Sequence, residues 1–154
     1  PLFRYANLFT QISGATSYEI LAQDLATALD DPAIKAVILD IDSPGGEVNG
    51  VAELAGMLFE ARGRKPVVAY ASGDAASGAY WLASAASEIV VSETSALGSI
   101  GVVGLYRRKD GKEAANVVEI VSSQSPNKRP DPSTEDGRAR LQARIDAMAE
   151  VFVN

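Results

Sequence analysis

The sequence contains no cysteine and no histidine. Without cysteine there is no disulfide framework, no thiolate zinc site and no thiol nucleophile. That absence suits a reducing compartment. Without histidine, a Ser-His-Asp triad cannot be assembled from these residues. Any serine nucleophile here needs another base, and lysine is the leading candidate, because Ser-Lys pairs follow the same logic. Positive charge is also short. Fourteen Lys and Arg stand against 20 Asp and Glu, a net charge of −6 with no long basic cluster. That balance argues against nucleic acid as a partner. No apolar run approaches the roughly 20 residues that span a bilayer. The opening Pro1-Leu-Phe-Arg has neither an initiator Met nor a signal-peptide pattern and reads as a trimmed or processed chain. A membrane anchor would have to lie in a trimmed part.

What is present suits a soluble globular chain. The 154 residues, 47% apolar and 22% charged, fit a single domain over 1–154 with a real core. Residues 1–16 are loop-like, and the first six could be the end of a strand. Ser17 is placed to cap a helix reaching about Leu29, with Ile20, Leu21, Leu25, Ala28 and Leu29 along one side. Ala36 to Ile41 reads as a strand buried on both faces. Val48 to Ala61 has helical spacing, Arg62 to Pro66 stops it, and Pro66 to Ala71 reads as the next strand. Gly78 to Ala86 is a small-residue helix pattern, and Glu88 to Ser92 a further strand. This alternation predicts an α/β fold with a mainly parallel sheet and βα crossover units. Farther on, the glycines of Thr94 to Val103 suggest a bend, and Arg107 to Lys112 a surface turn. Val117 to Val121 reads as a strand and Ser122 to Pro132 as a loop. Ser133 with Asp136 looks like a capping box opening a last helix along Leu141, Ile145, Met148 and Phe152.

Two stretches stand out for chemistry. Ser77 lies where a strand turns into a helix, between the small residues Ala75 and Ala79, a logic akin to the nucleophile elbow but without its glycines. Small neighbours let the backbone pinch and expose the hydroxyl where helix N–H groups favour developing negative charge. The bland alternative is an ordinary serine N-cap. Asp42-Ser-Pro-Gly-Gly46-Glu47 follows the preceding strand. Its glycines allow close backbone approach to a ligand, and an N–H there could form half of an oxyanion hole. Here the alternative is a plain strand-to-helix turn. Both stretches fall at carboxyl ends of strands, the rim where open α/β sheets bind ligands. Tyr80 and Trp81 read as packing residues, against the sheet or a neighbouring subunit. Asp74 reads as a turn residue. Asp40 and Asp42 share a strand face without completing a metal site.

Asp42-Ser-Pro-Gly-Gly46, Ala75-Ala-Ser-Gly-Ala-Tyr80 and Leu97-Gly-Ser-Ile-Gly-Val102 occur in that order. Together they resemble the signal peptide peptidase A family of Ser-Lys serine peptidases, from about residue 17 to Val153. The run Ser122-Ser-Gln-Ser-Pro-Asn-Lys128-Arg-Pro-Asp-Pro132, with the closing helix Gly137 to Val153, is similar to the branch found in tailed-phage and prophage heads. The resemblance implies a Clp-protease/crotonase-like fold. It also implies Ser77 as nucleophile, Lys128 as general base, and Ser99 as a hydroxyl that orients the lysine. The N–H groups of Gly46 and Gly78 match the oxyanion hole, with no metal or cofactor required. The family often carries Gly-Gly after the nucleophile; Gly78-Ala79 stands here and retains the N–H.

The implied activity is endopeptidase cleavage of extended protein segments, by a homo-oligomer that acts on phage scaffold or capsid proteins during head maturation. Its implied place is the host cytoplasm or the procapsid. A signal-peptide-degrading cellular peptidase of the same family is an alternative. So is a crotonase-type acyl-CoA enzyme, although such chemistry needs no Ser-Lys pair. A catalytically inactive structural oligomer is another. Among other lysines, Lys35 and Lys65 fall at the amino ends of strands, the wrong rim. Lys109 and Lys112 fall in the charged turn. Burial would lower the Lys128 pKa, and Arg129 would push the same way if its charge stays close.

Overall fold

The computed structural model describes residues 1–6, 15–107 and 117–153. They belong to two compact units, Pro1–Ser99 and Ile100–Asn154.

In the first unit, β1 (Leu2–Phe3) pairs in parallel with β2 (Thr16–Ser17), which leads directly into α1 (Tyr18–Asp30). Ser17 is fully buried, and its Oγ accepts the Ile20 N–H at 3.2 Å, the expected cap. Ser17→Ala is expected to lower stability by about 1 kcal/mol in a denaturant titration. At the other end of α1, Lys65 Nζ donates to the Ala28 and Asp31 carbonyls at 2.6 Å each. These bonds satisfy acceptors that the helix itself leaves open.

Strands β3 (Val37–Ser43), β4 (Val67–Ala76) and β5 (Glu88–Val91) form a parallel sheet in that order. The short β6 (Leu97–Gly98) also pairs in parallel with β4, beyond β5. Helices α2 (Val51–Ala61) and α3 (Gly78–Ser84) supply Val51, Leu54, Leu58, Ala79 and Leu82 to a core that includes Val67 and Ala69. Burying a leucine such as Leu58 contributes about 1.5–3 kcal/mol. Between α1 and β3 lies an apolar cavity of about 380 Å³ lined by Leu25, Val37, Leu39, Ile41 and Leu82.

The structure corrects three readings of this unit. β3 is not buried on both faces: Ile38 is 69% exposed, while Val37, Leu39 and Ile41 pack against the core. Asp40 and Asp42 alternate with those inward residues, so β3 has one polar-tolerant face. The helix after β3 starts at Val51 because Gly50, at φ 98°, breaks the pattern begun at Val48. β4 runs to Ala76 rather than Ala71, since Ala75 and Ala76 pair with Leu97 and Gly98.

In the second unit, β7 (Val103–Arg107) and β8 (Val117–Val121) form an antiparallel pair. A 3₁₀ turn (Pro126–Lys128) and α4 (Glu135–Val153) follow. The cap of α4 is Thr134, whose Oγ1 accepts the Gly137 N–H at 3.0 Å, not Ser133. Asp131 claims Ser133 instead, accepting both its N–H and its hydroxyl. Ile145, on the apolar repeat of this helix, is 58% exposed. The side chains of Met148 and Phe152, and most of the turn expected over Arg107 to Lys112, lie outside the described residues.

Candidate active site

Ser77 is the single residue between β4 and α3. Its backbone takes φ 55°, ψ −121°, a left-handed conformation that a non-glycine residue holds only when its surroundings impose it. Here those surroundings are explicit. The Ser77 N–H donates to the Gly98 carbonyl at 2.7 Å, and the Ser77 carbonyl accepts the Trp81 N–H at 3.0 Å. Ala75 and Ala79 on either side are fully buried, so larger side chains would not fit the pinch. Although Ser77 occupies the N-cap position, its hydroxyl makes no capping bond to the helix. The bland N-cap reading therefore does not describe this serine.

The glycine turn after β3 packs directly against it. A Cβ on Gly45, itself at φ 95°, would lie 2.7 Å from both the Ala76 carbonyl oxygen and Ser77 Cβ. β1 holds the turn from the other side. Leu2 N–H donates to the Gly45 carbonyl at 2.9 Å, and Glu47 N–H to the Leu2 carbonyl at 3.0 Å. These bonds form a parallel bridge between Leu2 and Gly46 that uses the groups flanking Gly46, not its own amide. The Gly46 nitrogen lies 3.7 Å from the position a Gly78 Cβ would occupy. Gly46 and Gly78, expected to act together, are thus neighbours. Gly98 bonds to Ser77 and is followed by Ser99, also left-handed at φ 53°. Ser77, Gly46, Gly78 and Ser99 all stand at carboxyl ends of parallel strands, on the expected rim.

Lys128 belongs to the second unit, at the end of the 3₁₀ turn, where its N–H donates to the Ser125 carbonyl at 3.1 Å. Partial burial, then the charge of Arg129, holds its pKa below the ordinary lysine value. The loop that carries it is anchored by Ser122, whose Oγ accepts the Val102 N–H at 3.2 Å. Gly101 makes room for this loop: a Cβ there would lie 2.7 Å from Ser125 Cβ. Lys35 and Lys65 are at the opposite end of the sheet from Ser77. Lys65 precedes β4, and the strand's length separates it from Ser77 by roughly 30 Å. Lys109 and Lys112 lie outside the described residues.

Asp40 accepts the Ser72 hydroxyl, and among the described residues no cluster of acidic side chains could hold a metal. Trp81 leaves 47% of its surface exposed, so packing on the sheet does not account for it. Tyr18 joins the site without a signal in the sequence. It is buried at 4% exposure and its hydroxyl reaches the glycine turn, whereas in the sequence it is only the residue after a cap.

Residues 60–154 match the model of peptidase family S49. The chain belongs to that family. The S49 chain is 37% identical over 145 residues to the head-tail preconnector protein GP5 of Enterobacteria phage P21, covering 91% of this chain and 29% of that protein. It is 34% identical over 145 residues to the capsid assembly protease C of Escherichia phage lambda, covering 91% and 33%. Against Protease 4 of Salmonella typhi it is 40% identical over 93 residues, covering 60% and 15%. The S49 chain thus spans no more than about a third of the length of these relatives. Among solved structures it is similar to the 1510-N membrane-bound stomatin-specific protease in complex with a substrate peptide. There the TM-score is 0.52 at 18% identity, covering 86% of this chain and 52% of that one. At that identity the likeness speaks for the fold alone, which is the expected Clp-protease/crotonase-like α/β type. Among the described residues, no helix is long and apolar enough to cross a membrane.

Proposed function

We propose that this S49 chain is a serine endopeptidase domain in which Ser77 attacks the scissile carbonyl. The observation that carries the reading is the left-handed Ser77, withheld from helix capping and packed against Gly45-Gly46. In the proposed reaction, neutral Lys128, from its own subunit or a neighbouring one, takes the Ser77 proton. It later returns that proton to the leaving amine. Its lowered pKa supports this role, because a lysine can act as a base only once deprotonated. The Gly46 and Gly78 N–H groups receive the developing oxyanion, and Ser99 orients the lysine. No cofactor takes part.

The substrate is an extended protein segment, which can lie as an added strand beside the rim. Likeness to a phage head-tail preconnector protein and a capsid assembly protease supports a role in capsid assembly. The proposed targets are scaffold or capsid proteins, and the proposed working form is a homo-oligomer in the procapsid or host cytoplasm. The test is hydrolysis of an unfolded protein substrate. Ser77→Ala is expected to reduce the rate at least about 10⁴-fold while leaving the thermal midpoint unchanged. Hydrolysis that survives in the variant would remove Ser77 from the mechanism.

A further inference from the structure

The Ser77 region places one more residue in the arrangement, through the backbone. Tyr18 opens α1, is buried, and donates its hydroxyl to the Glu47 carbonyl at 2.7 Å. The same oxygen would lie 3.2 Å from a Cβ on Gly78. One phenol oxygen therefore bonds the turn after β3 through Glu47 and lies beside Gly78 at the start of α3, where a side chain would otherwise stand. β1 braces the outer side of that turn, and just after it the Arg4 N–H donates to a Glu47 carboxylate oxygen at 2.9 Å. Burial, then the Glu47 charge, raises the Tyr18 pKa, so the phenol keeps the proton that makes this bond.

We propose that Tyr18 is a positioning residue whose hydroxyl fixes the spacing between the Gly46 and Gly78 amides. This rests on the reading of those amides as the oxyanion hole, but the spacing can be measured without any activity. A phenol is suited to the task because its ring is rigid and anchored in the core, so its oxygen has little freedom to follow a moving loop. With the hydroxyl gone, the Glu47 carbonyl loses this donor, and the turn keeps its bonds to β1 and its packing against Ser77 but loses its tie to α1. Both amides would then sample positions in which they no longer converge, which weakens stabilisation of an oxyanion without touching substrate binding.

The experiment compares Tyr18→Phe, which keeps the ring, with Ser17→Ala, which weakens the same helix start but contacts neither Glu47 nor Gly78. Amide hydrogen exchange over residues 45–49 and 77–80 is expected to quicken in Tyr18→Phe and to stay at the wild-type rate in Ser17→Ala. In peptide hydrolysis, Tyr18→Phe is expected to lower kcat about tenfold, with KM within about twofold and the pH profile unmoved. Unchanged exchange in Tyr18→Phe would overturn the proposal, as would equal quickening in both variants, which would report general destabilisation. Quickened exchange with no hydrolysis even by the wild type would uphold the positioning and sink the peptidase reading instead.

Discussion

Replacing Lys128 with alanine is expected to lower peptide hydrolysis at least about 10³-fold, within the range assigned to general acid–base groups. Lys128→Arg should be equally inactive, since a guanidinium stays protonated at any pH at which the protein is folded. In the wild type the rate should rise with pH, because the unprotonated amine is the active form. The midpoint should fall below 10.5, the ordinary lysine value, because burial and then Arg129 lower this pKa. Arg129→Ala removes the second cause and is expected to move the midpoint upward while leaving the high-pH plateau in place. That shift should be small, because Arg129 is exposed and its guanidinium faces Glu119 at 3.6 Å. A rate that falls as pH rises would contradict the assignment of a neutral lysine.

Gly45→Ala should be strongly damaging although the residue takes no part in the proposed chemistry. A methyl group there meets the Ala76 carbonyl oxygen and Ser77 Cβ at 2.7 Å and the Gly78 nitrogen at 2.9 Å. Those neighbours are backbone or a Cβ, so none can swing away as the end of a flexible side chain would. The residue also sits at φ 95°, which costs a non-glycine residue about 1–2 kcal/mol. The expected result is a stability loss of that order and a rate loss of about 10²–10³, comparable to removing an oxyanion donor. Urea titration and hydrolysis on the same preparation separate the two effects. A folded Gly45→Ala protein with full activity would show that the turn need not touch Ser77.

Much of this site could be read in the sequence because its demands are local. A serine between small residues at a strand end, and paired glycines at the end of the strand before it, have few structural uses. Topology then places both on one rim. Ser17 as a cap follows from the same local logic. The failures involve competition or distance. Ser133 lost the cap of α4 to Thr134 because Asp131 engages it first, a contest between adjacent side chains that a capping pattern does not resolve. The apolar run of β3 suggests burial on both faces, although Asp40 and Asp42 already mark the face that stays open. Tyr18 carried no signal at all. Its importance comes from a bond across 29 positions of sequence, which exists only once β1, α1 and the glycine turn are assembled.

The measurement that bears most directly on the central claim is covalent labelling by a fluorophosphonate, mapped by peptide mass spectrometry across pH. Wild type, Ser77→Ala and Lys128→Ala would be compared in parallel. The proposed mechanism predicts a single adduct at Ser77 whose rate of formation rises as Lys128 loses its proton, with almost none in either variant. Labelling at another serine, or labelling of Ser77 that proceeds equally well without Lys128, would contradict it.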